Sequence, residues 1–147
     1  MMTAGDIMTR DVVQLSPDMT VGETSDLLLR YRIHGAPVVD AAGQLVGMVS
    51  LVDLVGRVGE TVADVMTPDP VIAPEDTPVA EIAEMMLEQM VRRVPIVEGG
   101  RVIGIVSASD LIRVFLNLHE ATERESEKVG KVPAGGRVHR PRRAQKA

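Results

Sequence analysis

Leu45-Val46-Gly47-Met48-Val49-Ser50-Leu51-Val52-Asp53-Leu54 and Val102-Ile103-Gly104-Ile105-Val106-Ser107-Ala108-Ser109-Asp110-Leu111 are two copies of one pattern, and their reading decides the fold. Each opens as a short apolar run interrupted by one glycine, half β-branched in the first copy and wholly so in the second, which reads as a buried strand. Each then passes through Ser, with Asp three residues on, into a segment that starts a helix. The chain therefore makes the same strand-to-helix junction twice.

Working outward, the repeat extends in both directions. Ala36-Pro37-Val38-Val39 is answered by Val94-Pro95-Ile96-Val97, and Asp6-Ile7-Met8-Thr9 by Asp64-Val65-Met66-Thr67. The offset is 58 residues up to the prolines and 57 beyond them. The slip falls in a turn, Asp40–Gln44 against Glu98–Arg101, where a change of length costs little. In each copy a strand is expected first, at Val12 to Leu15 and Val71 to Ala73, followed by a Pro-acid turn at Pro17-Asp18 and Pro74-Glu75. A helix is expected from Val21 to about Arg32 and from Val79 to about Val91, where apolar residues recur at helical spacing. A second strand begins at Pro37 or Pro95, in keeping with proline's fitness for a strand's first residue. A third spans 45–49 or 102–106 and closes a hairpin; the last helix opens at Ser50 or Ser107. The fold class expected is α+β: two βαββα repeats packed with pseudo-twofold symmetry around one common interior. The first repeat is 1–60, the second 61–116, and 117–147 is a helix extension passing into a basic, disordered tail.

Composition narrows the function. The 147 residues include no cysteine, which excludes disulfides, thiolate metal sites and a cysteine nucleophile. No apolar run approaches the roughly 18 residues of a membrane span, and the N-terminus does not read as a signal peptide, so no membrane association is expected and the cytoplasm is the expected compartment. Tyr31 and Phe115 are the only aromatic residues, leaving almost nothing on which bases could stack in a nucleic-acid groove. Residues 1–123 carry a net charge of −11 and 124–147 a net charge of +6. An acidic body repels phosphate backbones while the tail attracts them.

The catalytic inventory is nearly empty. There is no phosphate-binding loop of the GxxxxGK[ST] type, no GxGxxG, and His34, His119 and His139 stand apart with no metal-ligand spacing. What remains is the doubled Gly-x-x-Ser-x-x-Asp: Gly47, Ser50, Asp53 and Gly104, Ser107, Asp110. Two readings fit it. One is a capping box that closes the helix start. The other is a ligand site, with free N–H groups and the dipole end facing a phosphate while the carboxylate accepts two ribose hydroxyls.

With its doubled DxMT, doubled hydrophobic-Pro-hydrophobic and doubled GhhSxxD, the chain resembles a pair of CBS domains, named after cystathionine β-synthase, over about residues 4–114. The resemblance implies a regulatory module, not an enzyme, that binds adenine nucleotides (AMP, ADP or ATP) or S-adenosylmethionine in clefts between the repeats and requires no other cofactor. It places the ribose on Asp53 and Asp110, with Ser50 and Ser107 assisting. It places the base between apolar residues: Val12, Val13, Ala36 and Pro37 in one site, Val71, Ile72, Val94 and Pro95 in the other. Basic residues before the proline meet phosphate in such proteins, which points to Arg92 and Arg93 in the second copy and to Arg32 and His34 in the first. A solvated helix end is the competing reading for the two arginines, and an ordinary surface histidine for His34.

Leu27, Leu28, Leu29 and Tyr31, with Met85, Met86 and Leu87, make a wider apolar stripe than one helix face needs. Burial between the repeats would explain it; a homodimer surface is the expectation preferred here. The regulated partner is an unknown protein. A nucleic-acid role for Arg137, Arg140, Arg142, Arg143 and Lys146 of the tail is the alternative function, with a solvated appendage as the plainer account of that segment.

Overall fold

In the computed structural model, residues 1–129 are described. The chain divides into a body, Met1–Ile112, and a second unit that begins at Arg113. Within the body the first repeat runs through helix α1 (Ala4–Ile7), α2 (Val21–Tyr31), strands β1 (Gly35–Val39) and β2 (Leu45–Ser50), and α3 (Leu51–Gly56). The second runs through α4 (Val62–Val65), β3 (Thr67–Pro68), α5 (Val79–Gln89), β4 (Arg93–Glu98) and β5 (Arg101–Ser107), and opens α6 (Ala108–Val129). The helical extension beyond residue 117 is therefore helix as far as Val129. The tail residues 130–147, with every arginine of the nucleic-acid alternative, lie outside the described residues.

Both hairpins form as expected, β1 against β2 and β4 against β5, each antiparallel with one bulge. Their prolines do not start the strands. Pro37 and Pro95 sit two residues inside, paired with Met48 and Ile105. The hydrogen bonds show why this is tolerated. Leu15 N–H donates to Pro37 O at 2.9 Å, and Val39 N–H donates to Leu15 O at 2.9 Å. Residues 37 and 39 thus turn their backbone groups away from β2, so the missing proline N–H leaves the hairpin intact.

The same proline limits the preceding segment. Strands were expected at Val12–Leu15 and Val71–Ala73; the structure has single parallel bridges, Leu15 to Val38 and Ala73 to Ile96. The next rung of a parallel ladder would need an N–H from Pro37 to Val13 O, or from Pro95 to Val71 O, and proline has none to give.

The common interior expected from the sequence is divided in two, and the division crosses the repeats. One cluster joins Leu15, Leu28, Ala36, Val38, Val49 and Leu54 of the first repeat to Val62 and Val65 of α4. The other joins Ala73, Ile82, Met86, Val94, Ile96 and Val106 of the second repeat to Ala4 and Met8 at the N-terminus. Each short helix therefore completes the core of the opposite repeat. The backbone follows suit: Thr9 bridges Ile105, while Thr67 and Pro68 pair with Met48 and Gly47. The repeated glycines make this exchange possible. A Cβ at Gly47 would lie 2.6 Å from Met66 Sδ, and one at Gly104 would overlap Met8 Sδ. The turns are reciprocal as well, since a Cβ at Gly43 would meet the Arg101 guanidinium and one at Gly100 would meet the Gln44 amide. These matched exchanges are the pseudo-twofold relation read out in contacts.

Candidate functional site

Both Gly-x-x-Ser-x-x-Asp junctions form complete capping boxes. Ser50 N–H donates to Asp53 Oδ2 at 2.9 Å, Ser50 Oγ lies 3.0 Å from the same oxygen, and Asp53 N–H returns a bond to Ser50 Oγ at 3.3 Å. Ser107 and Asp110 repeat this at 2.8, 3.0 and 3.2 Å. Each box satisfies N–H groups that would otherwise be orphaned and is worth about 1 kcal/mol. The first helical N–H is also taken: Leu51 donates to His34 O at 2.9 Å and Ala108 to Arg92 O at 2.8 Å. The expectation of free N–H groups is corrected accordingly, because at least the first and third of each opening turn are already bound.

The boxes hold the two carboxylates rigidly at the ends of β2 and β5. The Asp53 side chain keeps 16% of its surface exposed, and its Oδ1 lies 3.6 Å from Arg57 Nε. Asp110 is buried. The two junctions thus present the same chemistry.

The other sequence-derived site residues are placed as follows. Ala36 and Val94 belong to the two cores, so their side chains are engaged in packing. Pro37 and Pro95 lie on the opposite faces of their strands and are also buried. Val12, Val13 and Val71 are half-buried, and Ile72 is 48% exposed. His34 and Arg92 are exposed. Neither arginine ends the long helix, since α5 stops at Gln89 and Arg93 begins β4. Arg93 is half-buried; burial first, and the adjacent Arg92 charge second, hold it below the ordinary arginine pKa.

Sequence reasoning missed the same box at two further places. Asp6 accepts from Thr3 N–H at 2.8 Å, and Asp64 from Thr61 N–H at 3.1 Å. The signal was present as Thr3-Ala4-Gly5-Asp6 and Thr61-Val62-Ala63-Asp64, again 58 residues apart. These acids cap α1 and α4, the helices that are exchanged. Among the described residues, no group of three or more His, Cys, Asp or Glu is placed to hold a metal ion, and no helix is long and apolar enough to cross a membrane.

A duplicated strand-helix module whose halves complete each other's cores, with a Ser-Asp junction at the same edge of each, defines a paired-repeat module. The chain belongs to the CBS-domain family, whose model matches residues 4–60 and 62–117. It is 40% identical over 113 residues to inosine-5′-monophosphate dehydrogenase of Methanocaldococcus jannaschii, covering 75% of this chain but only 23% of that enzyme. It is 30% identical to the chloroplastic CBS domain-containing protein CBSX1 of Arabidopsis thaliana, covering 84% of this chain and 68% of that protein. Among solved structures, CBSX2 in complex with AMP superposes with a TM-score of 0.75 at 31% identity, over 80% of this chain and 98% of that one. The CBS domain pair of protein MJ0100, in complex with 5′-methylthioadenosine and S-adenosyl-L-methionine, gives 0.76 at 28% identity, over 79% and 97%. The cytosolic domain of the Mg2+ channel MgtE in complex with ATP gives 0.68 at 35% identity, over 76% and 48%.

Proposed function

We propose that this chain is a regulatory module that binds an adenine-containing ligand, a nucleotide or S-adenosylmethionine, at the Ser-Asp junctions and passes the occupancy on to a protein partner. The observation that carries this reading is the pair of rigid carboxylates, Asp53 and Asp110, each locked by its own serine at a strand end. A carboxylate already oriented by two donors accepts a ribose diol at little entropic cost. Support comes from the CBS pairs of the same fold that hold AMP, 5′-methylthioadenosine with S-adenosyl-L-methionine, and ATP. The dehydrogenase relative matches only over a fraction of its length, in keeping with a module that carries no reaction of its own.

Assembly into a homodimer belongs to the same proposal. Of the wide apolar stripe, Leu28 and Met86 are core residues and Leu27 and Met85 pack against the cores, but Leu29, Tyr31 and Leu87 are 65%, 56% and 80% exposed, and Met90, outside that stripe, is 91% exposed. That is more apolar surface than two solvated helix faces need. The cytoplasm remains our reading of the compartment, although CBSX1 is named a chloroplastic protein.

The testing experiment is a thermal-shift series with AMP, ADP, ATP, S-adenosylmethionine and 5′-methylthioadenosine. A ligand at a hundred times its Kd stabilises the folded state by about 2.7 kcal/mol. A midpoint that rises with concentration for at least one of them is expected; five flat titrations at millimolar concentration would end the proposal.

A further inference from the structure

The two oxygens of Asp53 are held by different parts of the fold. Oδ2 takes the Ser50 N–H at 2.9 Å and the Ser50 hydroxyl at 3.0 Å. Oδ1 meets Arg57, one helical turn on, whose Nε lies 3.6 Å away. Arg57 ends α3, its own N–H donating to Asp53 O at 3.1 Å. Its guanidinium also reaches the second repeat, where Nη1 donates to Met66 O at 3.4 Å. Met66 ends α4, the helix that completes the first repeat's core, and its sulfur lies 2.6 Å from where a Cβ of Gly47 would stand. One side chain therefore ties the Ser50-Asp53 junction to the corner where α4 passes into β3. The equivalent position in the second repeat is Val114, which has no charge with which to make this tie.

Resting on the adenine-ligand reading above, we infer that Arg57 is a gate on the first site: it holds Asp53 Oδ1 against a ribose until the ligand displaces it, and its release loosens the Met66 corner. A diol needs acceptor positions beyond those the capping box uses, and Oδ1 is the oxygen that the box leaves open. At 3.6 Å the guanidinium is in ion-pair range but outside hydrogen-bond range, so a hydroxyl at bonding distance supplants it. The Arg57 side chain is half exposed and has solvent to turn into. The penalty on ligand affinity is therefore modest, about twofold to fivefold, the size of an exposed ion pair. Occupancy of the first site and order at the corner between α4 and β3 become one coupled equilibrium. A small ligand thereby acts on the segment that the second repeat lends to the first.

The test is calorimetry on the full chain with adenosine, which brings a diol without a phosphate that would itself attract Arg57. The D110N change removes the second site's carboxylate, so that the first site is read. In that background R57A and R57Q each bind adenosine about two- to fivefold more tightly than the chain with Arg57. Raising sodium chloride from about 20 mM to about 500 mM tightens adenosine binding where Arg57 is present, because salt screens the ion pair, and has no such effect in R57A. 2′,3′-Dideoxyadenosine, which has no diol, gains nothing from R57A. Amide exchange in residues 62–68 quickens when adenosine saturates the site; in R57A it is already quick and does not respond. With D53N in place of D110N, R57A leaves adenosine affinity unchanged. The inference is overturned if R57A binds adenosine no more tightly, if the gain extends to the dideoxy compound or survives D53N, or if adenosine leaves exchange in residues 62–68 unmoved. In each of those cases the adenine-ligand reading stands so long as AMP binds; failure of both AMP and adenosine to bind any variant overturns both.

Discussion

Arg93 and Gly35 hold the same place in their respective repeats, and the guanidinium of the first lies against the backbone of the second. A side chain at position 35 would displace it and would also come 2.8 Å from Val49 O. Gly35→Ala is therefore expected to lower stability by about 1–3 kcal/mol, the usual cost of forcing volume into a packed site. Chemical denaturation measures this directly; a change below about 0.5 kcal/mol would mean that the strands simply move apart.

Gly47→Ala presses in the same way on Met66 Sδ and on Thr67 O, which lies 3.0 Å from the new methyl group. Because Thr67 pairs with Met48, the loss falls on the segment that brings α4 to the first repeat's core. We expect a loss of about 1–3 kcal/mol, with faster amide hydrogen exchange in residues 62–68. Protection unchanged there would show that the methionine yields without disturbing the exchange.

The caps of the exchanged helices carry a pH signature. Asp6 and Asp64 are held below the ordinary carboxylate pKa, chiefly by backbone N–H groups of Thr3 and of Thr61, and next by the Thr3 hydroxyl and the Glu60 N–H respectively. A lowered folded-state pKa gives stability that is complete above about pH 4 and is lost as pH falls through the folded value. The variant D6N together with D64N should therefore show a shallower acid limb below pH 4 than the wild type. Parallel limbs in the two proteins would remove these carboxylates from the account of acid unfolding.

Helices α2 and α5 end alike, on Arg32 and Met90 with φ of 53° and 56°. An L residue pays for that left-handed conformation, and Met90, 91% exposed, has little packing to set against it. Met90→Gly should raise stability by about 0.5–1 kcal/mol. A fall in the melting temperature would show that the Met90 side chain is covered in solution, as a dimer through α5 would cover it.

Light scattering decides that dimer. With Leu29 and Leu87 both changed to glutamate, a dimeric wild type should become a monomer of unaltered circular dichroism. A wild type already monomeric at micromolar concentration contradicts the proposed assembly outright.

The elements most legible in the sequence were those set by period and punctuation. The helices Val21–Tyr31 and Val79–Gln89, both hairpins and both Ser-started helices follow from apolar spacing, turn residues and the Ser-x-x-Asp signal. The doubled Ser50-Asp53 and Ser107-Asp110 pairs were found for the same reason: the contact is local. Apart from the local Thr3-Asp6 and Thr61-Asp64 boxes, which cap helices of only four residues, what escaped depends on partners far apart in the chain. Val12 and Val71 look like strand residues, and only the backbone direction of Pro37 and Pro95 shows that their ladder stops after one rung. Met8 and Met66 look like ordinary apolar filling, and nothing local says that each fits against a glycine of the other repeat. Arg92 and Arg93 look like a pair until the position of Gly35 separates them.

The exchange of α1 and α4 has a consequence for how the halves depend on the joint at residues 57–61. Neither half contains its own complete interior, since Ala4 and Met8 serve one and Val62 and Val65 the other. A half-chain released at that joint could satisfy its missing contacts only from a second molecule, so dilution would enter its folding equilibrium. The five-residue tether replaces that encounter with an intramolecular one, at an effective concentration on the order of millimolar. It makes an association that would otherwise vanish at low abundance indifferent to how many copies surround it.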